Sequence, residues 1–127
     1  MTIAFICVLI AIILPQIWAA VAKAPLVKSK AYDNAASRPQ LEKLSGASQR
    51  AKWAEQNSYE ALPGFIAAVI IAHLAGAGQD TMDMLAVVHV VARVAYVVCY
   101  IRDLPSLRSL VWVVGFGSMV GLFVVGF

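Results

Sequence analysis

Residues 50–63 read R-A-K-W-A-E-Q-N-S-Y-E-A-L-P and lead directly into an apolar run at residues 64–76. On one continuous α-helix, with about 100° per residue, Arg50, Trp53, Asn57 and Glu60 fall on one arc of roughly 80°. Polar side chains at the mouth of a membrane helix are costly unless they face protein, water or a ligand. The arc therefore predicts a helix over residues 50–75 with a binding face, although polar side chains that only reach the membrane interface also fit this pattern.

The composition points to a membrane protein. Of the 127 residues, 61% are hydrophobic and 13% are charged, and the mean hydropathy is +0.80. A soluble domain is about half apolar and a quarter charged, and a membrane helix needs roughly 20 apolar residues. The sequence therefore predicts an all-α fold, in which residues 1–127 form a single integral membrane domain. The predicted four-helix bundle has spans at about 3–22, 50–75, 84–101 and 107–127.

The distribution of basic residues predicts the orientation. Five of them lie in the polar segment 23–49, where Pro25 and Pro39 are expected to interrupt any helix. Arg102 and Arg108 flank the third connection, whereas the second connection, residues 77–83, has no basic residue. Thr81, in the second connection, is expected to cap the helix that follows it. The positive-inside rule then places loop 23–49 in the cytoplasm and both termini outside. The loop is expected to wall a site, to anchor the orientation, or both.

A second polar stripe lies on the third span. Four residues follow one another at spacings of 4, 3 and 4: His89, Arg93, Tyr96 and Tyr100. An arginine in mid-membrane costs at least about 2.5–3.5 kcal/mol, so Arg93 must face a partner or a wet cavity. A rise of about 1.5 Å per residue puts Asn57 and Glu60 level with the two tyrosines. We therefore predict a Glu60–Arg93 ion pair, within a chain or between chains.

Two readings stay open for the other members of this stripe. His89 is either a proton carrier or a partner in an interhelical hydrogen bond, and the hydrogen bond is expected, since buried polar groups in membranes usually serve packing. The tyrosines are either ligand contacts or interfacial aromatics.

The polar residues exclude several kinds of chemistry. The sequence has no Cys/His metal cluster, no nucleophile elbow and no glycine-rich phosphate loop, and Cys7 and Cys99 lie in apolar runs. No metal site and no nucleic-acid partner are expected. Arginine guanidinium groups bind carboxylates, and a carboxylate binds an amine. The predicted pocket therefore suits a small peptide with two carboxylates and an amine, with an apolar second substrate arriving from the lipid bilayer. If such a peptide also carried a thiol, an arginine or tyrosine donor would stabilise its thiolate, which is the nucleophile.

The same residues resemble a family signature. The run R50-x-x-W53-A54-x-x-N57-x-x-E60-x-x-P63 is similar to that of the MAPEG family, the membrane-associated proteins of eicosanoid and glutathione metabolism. The segment R93-V-A-Y96-x-x-x-Y100, followed by P105-x-x-R108, resembles the family's third helix and the turn after it. The runs Y32-D33-N34 and N57-S58-Y59-E60-A61-L62-P63 resemble the bacterial branch in particular.

The resemblance implies a homotrimer in a bacterial inner membrane, with glutathione as substrate or ligand between neighbouring subunits near the cytoplasmic side. Five residues match glutathione contacts of active members: Arg50, Asn57, Glu60, Tyr96 and Tyr100. Arg108 matches, with a one-residue gap, an arginine implicated in activating the thiolate, and is the expected catalytic residue. Arg93 matches a buried structural arginine.

The chain departs from the family at two positions. Trp53 replaces a second arginine of the active eicosanoid members, and Trp112 lies where some members carry a tyrosine. Two functions therefore remain open. The first is a glutathione transferase or peroxidase acting on apolar electrophiles. The second is a non-catalytic protein of the same fold that binds a lipid or an anionic metabolite. A small four-helix exporter is disfavoured because the first span contains no acidic residue.

Overall fold

A computed structural model describes all 127 residues, and the chain is helical throughout with no strand. This confirms the predicted all-α class. A single 3-10 turn, Asn34–Ala36, lies in the polar segment. The five α-helices are α1 (Ile3–Lys28), α2 (Ser37–Glu42), α3 (Gly46–Leu74), α4 (Gln79–Ile101) and α5 (Pro105–Val125).

Three of the long helices, α1, α4 and α5, are long and apolar enough to cross a membrane. The fourth, α3, has 29 residues and is about 44 Å long at 1.5 Å per residue. Its first half carries four charged residues: Arg50, Lys52, Glu55 and Glu60. The apolar half, from Gly64 onward, corresponds to the apolar run at residues 64–76 of the sequence. The candidate site therefore lies along the polar half of α3.

The first helix is longer than the sequence predicts, because α1 continues through Pro25 to Lys28. The expected interruption at Pro25 is wrong. A proline inside a helix removes one N–H donor and clashes one turn back, yet surrounding contacts can compensate for that cost. Lys28, in the last turn, suits the partial negative charge at the C-terminus of the helix. The part of the polar segment 23–49 that lies outside the long helices is therefore shorter than predicted.

Small side chains let the helices approach closely. Ala4, Ala68, Ala72 and Ala86 have no exposed surface, and they surround the fully buried Phe65. Close approach of this kind drives helix association in membranes, where burial of apolar surface gives little stabilisation. Most large apolar side chains of α1, α4 and α5 instead point outward. This outward apolar surface is the one expected to contact lipid.

Gly117 and Gly121 of α5 have the small-xxx-small spacing that lets membrane helices approach closely, but only one of them contributes to packing. A methyl group at Gly121 would lie 3.4 Å from the side chain of Leu85 on α4, whereas one at Gly117 would contact nothing within 4 Å. Gly121 therefore lies in the α4–α5 contact and Gly117 faces away from it. Within one chain, the small-xxx-small spacing supports packing only through its second glycine.

At the end of the molecule opposite Arg50, α4 caps α1. The backbone N–H of Ala4 donates to Asp83 Oδ1 at 2.8 Å, and the side chain of Gln79 donates to the same oxygen. Helix α4 begins at Gln79 with Gly78 at its N-cap, so the expected capping role of Thr81 is wrong. An acidic side chain there satisfies one of the unpaired N–H groups that begin α1.

Replacing Asp83 by alanine is expected to lower the free energy of unfolding by about 0.5–2 kcal/mol, the cost of losing a helix cap. The measurement is an unfolding titration in mixed detergent micelles. Asp83→Asn is the matched control, since its side-chain oxygen still accepts from Ala4 N–H. Equal stability of the alanine and asparagine variants would contradict the capping role.

Candidate functional site

An open groove between α3 and α4 collects four of the five residues expected to bind glutathione. It has a volume of about 360 Å³. Its lining residues are Trp53, Gln56, Asn57, Glu60, Tyr96 and Tyr100. The two helices bring these residues together because their polar stripes lie at the same depth. The groove is the candidate ligand site of a single chain.

Beside the groove, a short chain of hydrogen bonds joins Arg93 to Glu60 through Asn57. Arg93 Nη2 donates to Asn57 Oδ1 at 2.8 Å, and Asn57 Nδ2 donates to Glu60 Oε2 at 3.2 Å. The direct Glu60–Arg93 ion pair predicted within the chain is therefore wrong, since the amide of Asn57 lies between the two charges. The one salt bridge of the chain joins Lys52 and Glu55 at 2.9 Å.

Aromatic rings hold two arginines at the groove. The guanidinium of Arg93 lies 4.7 Å from the ring centroid of Tyr96, and that of Arg108 lies 4.3 Å from the ring centroid of Tyr100. The two tyrosine rings meet edge to face, with centroids 5.6 Å apart. Cation–π contacts orient a guanidinium without using its N–H donors. Arg108 therefore lies beside the groove with donors left for a ligand.

Arg50 lies outside the groove. Its Nε and Nη2 both donate to the carbonyl of Ile101, at 3.2 and 3.0 Å, at the C-terminal end of α4. The last carbonyls of a helix lack partners within it and carry partial negative charge, so a guanidinium there is stabilising. Arg50 therefore supports the end of α4 that carries Tyr100, which the sequence pattern did not indicate.

A second cavity, of about 220 Å³, lies between α3, α4 and α5. It shares Asn57 and Glu60 with the groove. The remaining lining residues are Ala61, Gly64, His89, Arg93, Trp112, Gly115, Phe116 and Met119. The rings of Trp112 and Phe116 are stacked at 5.2 Å, so the wall from α5 is largely aromatic. A polar wall and an aromatic wall thus face one another next to the groove.

Two glycines that line this cavity lie where α5 packs closely against the other helices. A methyl group at Gly64 would lie 2.8 Å from Met119 Sδ, and one at Gly115 would lie 3.4 Å from the methyl group of Ala92. Glycine at these two positions lets α5 approach α3 and α4 closely. The five residues from Gly115 to Met119 therefore lie against α4 at Ala92 and against α3 at Gly64, where the apolar half of α3 begins.

His89 serves packing, as the interhelical alternative predicted. It is buried, its Nδ1 lies 2.9 Å from the carbonyl oxygen of Gly115, and its ring stacks on Phe65 with centroids 4.0 Å apart. The hydrogen bond joins α4 to α5 and uses a carbonyl that Ser118 also contacts. His89 also lines the second cavity.

The other candidate features lie away from the groove. No residue between 29 and 45 lines the groove or the second cavity, so within one chain this part of the polar segment does not wall the site. Cys7 and Cys99 are both buried and unpaired. No group of three His, Cys, Asp or Glu side chains is placed to hold a metal ion.

The family signature extends along the whole chain. The family model described as the MAPEG family matches residues 3–127. No individual curated protein matches the sequence significantly. The match covers all five helices and includes every residue of the groove.

Replacing Arg50 by methionine is expected to lower the free energy of unfolding by about 1.5–3 kcal/mol, because a charge-assisted contact to the Ile101 carbonyl is lost. Lys43→Met is the control, since Lys43 is exposed and forms no salt bridge or side-chain hydrogen bond within the chain, so its replacement should change the stability by at most about 0.5 kcal/mol. The measurement is the same detergent unfolding titration. Similar stability losses in both variants would show that the Ile101 contact is not stabilising.

Proposed function

The chain belongs to the MAPEG family, and on that premise we propose that it binds glutathione in the groove and adds its thiolate to apolar electrophiles or reduces peroxides with it. The observation that carries the proposal is the groove itself. Four side chains that match glutathione contacts of the family, Asn57, Glu60, Tyr96 and Tyr100, line it together.

Residues in the groove and around it have roles suited to their chemistry. Glu60 is the one carboxylate of the groove and pairs with the ligand's amino group. Arg108, held over Tyr100, donates to the thiol sulfur and favours the thiolate, which is the nucleophile. Tyr96 and Tyr100 offer phenol donors to the ligand. Arg50 supports the site by fixing Ile101, next to Tyr100.

The second cavity supports an apolar co-substrate. It borders the groove at Asn57 and Glu60 and presents the stacked rings of Trp112 and Phe116. An apolar electrophile entering from the bilayer would be held there, next to the thiol ligand in the groove. This arrangement suits a reaction between a polar and an apolar substrate at the membrane surface.

The chemistry balances in both forms. In transfer, the thiolate sulfur forms a bond to an electrophilic carbon, and the leaving group departs with its bonding pair or an epoxide oxygen takes up a proton. In peroxide reduction, two glutathione molecules are oxidised to the disulfide while the peroxide becomes an alcohol and water. In either case Arg108 stabilises the sulfur anion before its attack.

The assembly that we propose is a homotrimer of four-helix bundles in a bacterial inner membrane. Gln56, Tyr59 and Glu60 are exposed on α3 in a single chain. Polar side chains at membrane depth are costly against lipid, so neighbouring copies are the expected cover. Basic residues at the Arg50 end of the molecule support a cytoplasmic location of loop 23–49, with both termini outside.

A second candidate function has its own support. Arg50 and Arg93 already contact Ile101 and Asn57, and Trp53 occupies the groove where active members carry an arginine. A groove with fewer free cations suits a lipid or an anionic metabolite bound without turnover. A lipid that co-purifies in a fixed ratio and is not displaced by glutathione would favour this function.

Arg108→Gln is expected to lower turnover of a thiol-reactive aromatic electrophile about 100-fold, within the range for removing one donor that stabilises a developing anion. The affinity for glutathione should fall less. The measurements are isothermal titration with glutathione and a product assay on the detergent-solubilised protein.

Arg102→Gln is the matched control, since Arg102 is exposed in the turn between α4 and α5 and its guanidinium forms no cation–π contact with Tyr100. Glutathione binding without turnover in the wild type would support the non-catalytic function. Absence of glutathione binding would contradict the proposal.

Trp53→Arg is expected to raise the affinity for glutathione about tenfold, because it adds a guanidinium to the groove wall where a ligand carboxylate needs a partner. Trp53→Gln removes the same ring without adding charge and is the control. Titration of both variants with glutathione decides between them. Equal affinities would show that residue 53 does not face a ligand carboxylate.

A further inference from the structure

Arg93 is the buried charge for which the proposed reaction has no direct use. It lies in the middle of α4 with 6% of its surface exposed, and it forms no salt bridge within the chain. Its contacts are the Asn57 carbonyl oxygen, at 2.8 Å, and the ring of Tyr96. A buried guanidinium is costly, so a position that keeps one without a carboxylate partner calls for an explanation.

The chemistry of arginine fixes the orientation of Asn57. A guanidinium can only donate hydrogen bonds, so the amide group of Asn57 must turn its oxygen toward Arg93. The amide nitrogen then points the other way, where it donates to Glu60 Oε2 at 3.2 Å. Without Arg93, either end of the amide could face Glu60, and a carbonyl oxygen there would repel the carboxylate.

Glu60 needs this support because it is exposed. The residue lies at the boundary of the groove and the second cavity, and its one hydrogen bond within the chain comes from Asn57. An exposed, flexible side chain loses conformational entropy when a ligand fixes it. A donor on one carboxylate oxygen restricts the side chain beforehand and leaves the other oxygen for the ligand.

We propose that Arg93 is a positioning residue for ligand recognition: through Asn57 it holds the Glu60 carboxylate in place to bind the amino group of the thiol ligand. The inference rests on the proposed function, since it assumes that the groove binds glutathione. It assigns to Arg93 a role in selecting thiols that carry an amine, beyond the stability of α4.

The test compares two probes on the full-length, detergent-solubilised protein. One is glutathione, and the other is glutathione whose γ-glutamyl amino group is replaced by hydrogen. The wild type should prefer glutathione by about tenfold or more, the ratio expected for one charge-assisted hydrogen bond. Arg93→Met should reduce this preference to about twofold, whereas Arg93→Lys, which keeps a cationic donor, should restore part of it.

A double-mutant cycle separates positioning from packing. Glu60→Gln alone should abolish the preference for the amine, and adding Arg93→Met to it should change the preference no further, since residues that act through one another are not additive. If Arg93→Met fails to fold, Asn57→Ala interrupts the same chain of hydrogen bonds. Gln56→Ala is the matched control, because it removes an amide from the same groove and should affect both probes equally.

The outcomes distinguish the two proposals. Loss of the amine preference in Arg93→Met or Asn57→Ala, but not in Gln56→Ala, supports the positioning role. An unchanged preference in Arg93→Met, with both probes weakened alike, would overturn it while leaving glutathione binding in place. If the wild type binds neither probe, glutathione binding itself fails, and the positioning role fails with it.

Discussion

The position of one charge in the middle of an apolar helix organises much of this molecule. Arg93 cannot face lipid at a tolerable cost, so α4 must present it to other protein groups. Asn57 of α3 and Tyr96 of α4 itself are those groups, and the hydrogen bond to Asn57 joins the polar half of α3 to α4. The groove and the second cavity border this contact, with Asn57 lining both. Structure and candidate chemistry thus share one set of contacts.

Much of this arrangement could be predicted from the sequence because it depends on length and periodicity. Apolar length identifies α1, α4 and α5, and the constant rise of a helix places Asn57 and Glu60 level with Tyr96 and Tyr100. Contacts that depend on a single side-chain direction could not be predicted in this way. A shift of a few ångströms in the guanidinium of Arg93 decides whether it contacts the Glu60 carboxylate or the Asn57 amide. The sequence pattern would equally allow the side chain of Arg50 to point into the groove. The end of α1 was missed because Pro25 normally interrupts a helix.

The second cavity illustrates a different limit. It is bordered by Gly64 and Gly115, at which α5 packs closely against α3 and α4, and a glycine in a membrane helix usually indicates only close packing. The side chain that packs against each glycine comes from another helix: Met119 of α5 packs against Gly64, and Ala92 of α4 packs against Gly115. The sequence contains the glycines but not their neighbours. Likewise, the sequence contains Trp112 and Phe116 but does not show that their rings stack at the cavity wall.

The contact between Ala4 and Asp83 has a consequence for the order in which the chain is assembled. The two residues are 79 positions apart, so the first turn of α1 lacks this hydrogen-bond partner until α4 has been synthesised. Thr2 offers only a longer contact, at 3.4 Å, to the N–H of Phe5. An unpaired N–H is tolerable in water or among lipid headgroups and costly in hydrocarbon. Hydrogen bonding at the start of α1 is therefore completed only after α4 has been synthesised and has packed beside it.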